Sequence, residues 1–221
     1  DDLTRATIDE VRARFPDHPG DARDLWLPVT RRSALAWLQR FVDERLHDFG
    51  RYEDAMHRDE PVLFHAVITP MLNVGLLHPQ EVVDAVVERG GDVPLASLEG
   101  FVRQVIGWRE HMRGMYRAHP ELEHANALEL DRELEDWWYT LDDVPLALPE
   151  PVRVVLHRVH ALAYAHHIER LMVLGSWMLM QGYAPAAVHR WFLALFVDAY
   201  PWVMVPNVMG MSQFADGGLV G

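Results

Sequence analysis

The chain of 221 residues contains no cysteine, so it cannot form disulfides or hold zinc or an iron–sulfur cluster through its own thiolates. It also has no uncharged apolar run long enough to span a bilayer and no secretory leader pattern. The expectation is therefore a cytoplasmic protein without membrane contact. Basic residues are scarce: 20 Lys and Arg stand against 33 Asp and Glu, for a formal charge of -13. That balance argues against a general nucleic-acid binder, although it leaves room for a local basic patch. Strand-like alternation and internal repeats are missing too. So are a Gly-rich phosphate loop, a nucleophile elbow and an HExxH metal motif.

What is present is apolar and helical. Half the residues are hydrophobic, enough for a globular core. Eight Trp and ten Met suit a core that wraps a flat aromatic ligand, without requiring one. Residues 1–20 are charged and end in Pro16, Pro19 and Gly20, so 1–24 reads as a connector or surface segment. Thr30 caps a helix to Phe49, with Ala34, Trp37, Leu38, Phe41, Val42 and Leu46 at helical spacing and Gly50 as its stop. Arg51–Glu60 reads as a polar turn holding Tyr52. Phe64–Leu77 reads as a short helix containing Pro70 and Gly75, and His78-Pro79 opens another through Val87. Gly90-Gly91 is a break, and Pro94–Tyr116 is a long helix. Asn126–Pro149 reads as irregular, Pro151–Met180 as one or two helices, Pro185–Tyr200 as a further helix, and 201–221 as loop. The fold class is all-α.

Ala161–Met180 organises this plan. Tyr164, Ile168, Leu171, Met172, Leu174 and Met178 give it a wide apolar surface. His166, His167, Glu169 and Arg170 nevertheless lie in its middle, where unpaired polar groups are costly. Arg170 needs an anion, and Asp198 near the end of the following apolar run is the natural partner. A purely structural salt bridge is the alternative, and composition alone favours it. Gln104, Trp108, Arg109 and Glu110 form a second cluster on the long helix, equally readable as a charged exposed face. His65 and Thr69 could present donors to a phosphate, or simply cap a helix. His166 and His167 point about 100° apart if helical, which disfavours a metal site from that pair. One of them could serve acid–base chemistry. His157 and His160 read as surface residues.

Taken together, FHAVITPMLNVGLL (64–77), LEGFVRQVIGWREHMRGMY (98–116), AYAHHIERLMVLG (163–175) and WVMVPNVMGMSQFADGG (202–218) resemble the photolyase/cryptochrome superfamily. They look closest to its bacterial iron–sulfur (6-4) photolyase branch, from about Leu25 onward. The resemblance implies that residues 25–221 form the helical domain that holds FAD. By position, Tyr52, His65 and Thr69 match phosphate-side contacts, and Gln104, Trp108 and Arg109 match a helix lining the flavin and lesion pocket. Arg170 and Asp198 match the pair beside the isoalloxazine ring. His166 and His167 match lesion-pocket histidines, one of which would donate a proton during repair. Trp191 matches an electron-transfer tryptophan.

The chain departs from that pattern in four ways. The N-terminal antenna domain of the family is not in this sequence, and a separate chain could supply it. The four cluster cysteines are missing, and LDDVPLALPEP occupies the region where one would fall. Met204 stands near flavin N5, where an acidic or amide side chain is usual, and Tyr139 stands where a tryptophan of the electron route is expected. The implied function is light-driven repair of UV photoproducts in damaged DNA by electron transfer from flavin. The alternatives are a cryptochrome-like photoreceptor without repair and a flavin-free helical interaction module.

Overall fold

A computed structural model describes residues 2–220. The helices are α1 (Asp2–Arg14), α2 (Arg31–Glu44), α3 (Leu46–Tyr52), α4 (Thr69–Asn73), α5 (Pro79–Glu88), α6 (Leu95–Arg103), α7 (Arg109–Ala118), α8 (Trp137–Thr140), α9 (Glu150–Leu162), α10 (Ser176–Met180), α11 (Pro185–Leu195) and α12 (Pro201–Met204). Three π-helical segments extend them: Gln104–Trp108 joins α6 to α7, Glu169–Gly175 leads into α10, and Val205–Ser212 continues α12. No strand forms among the described residues beyond one isolated parallel bridge, Arg132 to Tyr183. The protein is all-α.

Local chemistry explains where several helices start. Thr30 and Ser33 form a reciprocal capping box at α2, each side chain accepting from the other's backbone N–H at 3.2 Å. His78 and Glu81 do the same for α5, with Pro79 in the first turn where no donor is needed. α1 buries no residue.

Two apolar clusters carry most of the packing. One gathers Phe41, Leu46, Phe49, Val82, Val86, Phe101 and Val105 from α2, α3, α5 and the α6–π junction. The other gathers Trp138, Leu156, Leu174, Met178, Trp191, Phe192, Met204 and Val208 from α8 to the segment after α12. Each fully buried Leu, Val or Phe contributes about 1.5–3 kcal/mol.

Several expected boundaries move, each for a local reason. α2 breaks at Arg45 (φ -127°), and Gly50 lies inside α3 rather than ending a helix. A Cβ at Gly50 would sit 2.7 Å from the backbone of Ala96 and Ser97, so glycine is there to let α3 and α6 touch. The junction is closed by Gly50 N–H donating to Ser97 Oγ (2.9 Å), whose hydroxyl donates to His47 O (2.8 Å). Gly50→Ala is expected to destabilise the fold by roughly 1–3 kcal/mol, because backbone rather than a flexible side chain must yield. A thermal or urea unfolding midpoint indistinguishable from wild type would contradict this.

Residues 64–68 are a strap, not a helix. Leu63 (φ 47°) and Val67 (φ 51°) adopt left-handed conformations. Strap carbonyls are satisfied from outside, Ala66 O by Trp37 Nε1 (2.8 Å) and His65 O by Arg45 Nη1 (2.8 Å). The run expected as one continuous helix through Ala161–Met180 is also interrupted. α9 ends at Leu162, Ala163 turns left-handed (φ 50°), and Tyr164 and Ala165 cross before helix resumes. α11 stops at Leu195, which puts Asp198 in the following loop. Residues 201–212, expected as loop, are helical. His160 is half-buried, with its ring Nε2 3.0 Å from Trp138 O, rather than a surface residue.

Candidate functional site

Between the two apolar clusters lies a cavity of about 550 Å³. Phe49, Phe101 and Val105 of one cluster form part of its wall, and Phe192, Met204 and Val208 of the other form the opposite part. The strap contributes His65 to Ile68, and all three π-helical segments reach it, through Gln104 and Trp108, Arg170 and Leu171, and Asn207 and Met211. A π turn widens the helix and re-aims side chains, which is why such segments gather at sites.

Arg170 and Asp198 meet on this wall as a two-pronged pair, Nη1 to Oδ1 at 2.8 Å and Nη2 to Oδ2 at 2.9 Å. The Arg170 Nε donates to Ala165 O at 2.5 Å, and its guanidinium lies over Phe196 at 4.4 Å and Tyr164 at 5.5 Å. Asn73 Nδ2 donates to Asp198 O at 3.1 Å, tying the loop to α4. The arginine is therefore held by the crossing segment before it and by the loop after α11. Beneath it, the buried pair Arg158–Glu169 fixes the start of the second π segment, and Arg158 also donates to the carbonyls of His57 and Arg58. Burial alone would raise the Glu169 carboxyl; the His166 ring and the Arg158 guanidinium outweigh it and hold the carboxyl below its usual range.

Three histidines converge where strap and interrupted helix meet. The His65 and His166 rings stack at 4.6 Å and 14°, and His167 stands edge-on to His65 at 5.4 Å. His167 Nε2 contacts Asp54 Oδ1 at 3.2 Å. His65 Nε2 and both ring nitrogens of His166 are buried without a hydrogen-bond partner. Burial, aided by the neighbouring histidines and by Arg170 and Arg45, pulls His65 down to about 3, so the ring is uncharged at neutral pH. Burial lowers His167 as well. At the mouth, burial and the adjacent Asp54 raise Glu53, while burial lowers Arg109. Arg109 makes no ion pair among the described residues and lies over the Trp202 ring at 4.9 Å.

His65, Thr69, Gln104, Trp108, Arg109, His166, His167, Arg170, Asp198 and Met204 all line this one cavity. Tyr52 and Trp191 do not. Tyr52 ends α3 and stacks on Phe64 at 5.0 Å. Trp191 is fully buried one layer behind the wall, 5.2 Å from the ring of Phe192. It is Trp138, not Tyr139, whose ring meets Trp191 (5.6 Å), and Trp137 stacks on Trp138 at 4.4 Å; Tyr139 packs at the edge of the same cluster. Sequence reasoning missed Glu53, Asp54, Phe192, Trp202 and Asn207 as lining residues. Only the adjacent acids Glu53-Asp54 carried a signal, hidden in a stretch that read as a polar turn.

The fold and site define a helical domain with a cavity between its two apolar clusters and a two-pronged ion pair in the cavity wall. No protein-family model matches the chain. It is 43% identical over its whole length to a (6-4) photolyase of Agrobacterium fabrum, of which it spans 43%. The fold is also that of a crystallised bacterial class III photolyase from Agrobacterium tumefaciens (TM-score 0.69, 20% identity, 87% of this chain and 40% of that one). A cryptochrome of Synechocystis sp. PCC6803 is similar in fold as well (TM-score 0.71, 16% identity, 91% of this chain and 43% of that one). The chain belongs to the photolyase/cryptochrome superfamily and spans less than half the length of these relatives.

Proposed function

We propose that the cavity holds FAD and that the chain belongs to a light-driven flavoprotein acting on UV-damaged DNA, in the manner of the (6-4) photolyase it is similar to. The observation that carries this reading is the gathering of Gln104, Trp108, Arg109, Arg170, Asp198 and Met204 around one apolar cavity from four separate stretches of chain. The residues present fit such a group. The volume lies within the range of cofactor pockets, the walls are largely apolar, and unpartnered polar atoms of His65 and His166 remain buried beside the cavity. Bound there, FAD would supply the absorption of light and the transferred electron.

The chain's own residues divide the remaining work. Arg170 and Asp198 present a fixed cation and anion to the ring edge of a flat ligand. Arg109, which makes no ion pair among the described residues, takes an anionic group, a phosphate of the cofactor or of DNA. The Phe101, Val105, Leu171 and Phe192 side chains exclude water. His166 and His167 stand at the lesion side, where one ring passes a proton to the substrate during repair. Trp191, Trp138 and Trp137 form a chain of touching indoles from behind Phe192 to the half-buried Trp137, a path for an electron between surface and cavity. One observation favours a second reading, a cryptochrome-like sensor without repair: Glu53 and Asp54 sit at the mouth, where a DNA backbone would meet negative charge.

The absorption spectrum of the purified chain, with and without added FAD and under blue light with a reductant, tests the first part. A structured flavin band that bleaches on illumination is expected. Loss of the photoproduct from a UV-damaged oligonucleotide would then support repair, and intact photoproduct with normal bleaching would support the sensor. No flavin band under any condition would refute the proposal.

A further inference from the structure

We propose that Tyr183, with Glu135 as its base, returns an electron to oxidised Trp138, so that the hole comes to rest on a buried phenol. The inference rests on the flavin reading of the cavity only for its oxidant; the arrangement of residues stands by itself. Trp138 Nε1 donates to the Tyr183 hydroxyl at 3.2 Å, and that hydroxyl in turn donates to Glu135 Oε2. The two rings meet edge to face at 6.0 Å, and both are buried. Trp138 also meets Trp191 at 5.6 Å, which places Tyr183 one ring away from the indole path.

The charge states suit a proton-coupled step. Burial and the bond to Glu135 push the Tyr183 phenol up to about 12, so it keeps its proton at neutral pH. Burial alone would raise the Glu135 carboxyl; the bonds from Tyr183 and Arg132 outweigh it, and the carboxyl stays below its usual range. It is therefore an ionised base within hydrogen-bond reach of the proton it takes. Arg132 Nη2 donates to Glu135 Oε1 at 2.5 Å and leaves Oε2 to the phenol. The segment is pinned there, because Ala184 N–H donates to Arg132 O at 2.7 Å. The Glu135 side chain is 38% exposed, so a proton it accepts can pass on to water.

The step balances as follows. Trp191 gives one electron to the photoexcited flavin and takes one from Trp138, which becomes an indole radical cation. One electron then passes from the Tyr183 ring to Trp138. The phenol O–H bond breaks and an O–H bond forms at Glu135 Oε2. The products are neutral Trp138, a neutral phenoxyl radical and a protonated carboxyl. One cation and one anion have been cancelled, which an apolar interior favours. Back-transfer to the cavity side now requires the proton as well as the hole, so the separated charge lasts longer. A thiol reductant in solution later supplies the electron that restores Tyr183, and the proton returns to it from Glu135.

The test oxidises the flavin-free chain with azide radicals in a radiolysis pulse, followed by transient absorption and freeze-trapped EPR. Indole radicals are expected to decay as a phenoxyl signal grows, more slowly in heavy water. Tyr183→Phe keeps the ring and should lose that phenoxyl, leaving the hole on the stacked indoles of Trp138 and Trp137. Glu135→Gln keeps an acceptor without the base and should slow the transfer by roughly a hundredfold. The same phenoxyl is expected when the FAD-loaded chain is illuminated. Phenoxyl growth unchanged in folded Tyr183→Phe, or a transfer rate unchanged in Glu135→Gln, would overturn the proposal. Phenoxyl growth in a chain that binds no FAD would support the dyad and refute the flavin site. Normal bleaching without a phenoxyl would sink the dyad alone.

Discussion

Arg170→Ala is expected to unfold the chain at markedly lower urea concentration and to abolish retention of added FAD. The guanidinium satisfies both oxygens of Asp198, which is 6% exposed, and also one carbonyl at the break between α9 and the second π segment. Removing it strands a buried carboxylate, and breaking a buried pair from one side typically costs about 3–5 kcal/mol. That is a large share of the roughly 5–15 kcal/mol by which domains are stable. Replacing both partners with apolar residues, Arg170→Met with Asp198→Leu, should recover much of the stability while leaving FAD binding weak. Stability and FAD retention in Arg170→Ala equal to wild type would show that the pair is a surface decoration, against its geometry.

Trp191→Phe is expected to leave fold and flavin spectrum nearly intact and to remove most of the rate of light-driven bleaching. Phenylalanine retains much of the packing against Phe192 and Phe196, at 5.2 and 5.9 Å in the native contacts, and forfeits the hydrogen bond from Nε1 to Trp138 O (2.8 Å). That bond is worth about 0.5–1.5 kcal/mol, so a modest drop in melting temperature accompanies the change. What is lost is the easily oxidised indole between cavity and Trp138. Trp138→Phe should slow bleaching in the same way. A bleaching rate unchanged in both variants would rule out this path.

The periodic parts of the chain were legible. α2, α5 and the α6–α7 helix follow their apolar spacing and caps, and Arg170 with Asp198 stands out because a cation and an acid in apolar runs demand each other. The strap at 64–68 was not legible. Its residues carry a helical apolar pattern, but Trp37 and Arg45, distant in sequence, take its carbonyls and hold it open. The break at Ala163 was hidden for a similar reason: Tyr164 and Ala165 fit a helical surface while being buried as a crossing segment. That break determines the direction of His166. The Trp191–Trp138 contact depends on a short helix, α8, inside a stretch that reads as irregular.

The three π-helical segments make the pocket sensitive to chain length in a way that substitutions do not reveal. Each takes one extra residue into a turn, so the helix after it keeps its facing while the side chains inside the wide turn are re-aimed. Removing one residue from Gln104–Trp108 would restore α geometry, leave Arg109 and α7 facing as they do, and take Gln104 or Trp108 out of the cavity wall. Relatives of this chain can thus diverge in side chains and keep the cavity, whereas the loss of one residue in these three places would reshape its wall with little trace in composition.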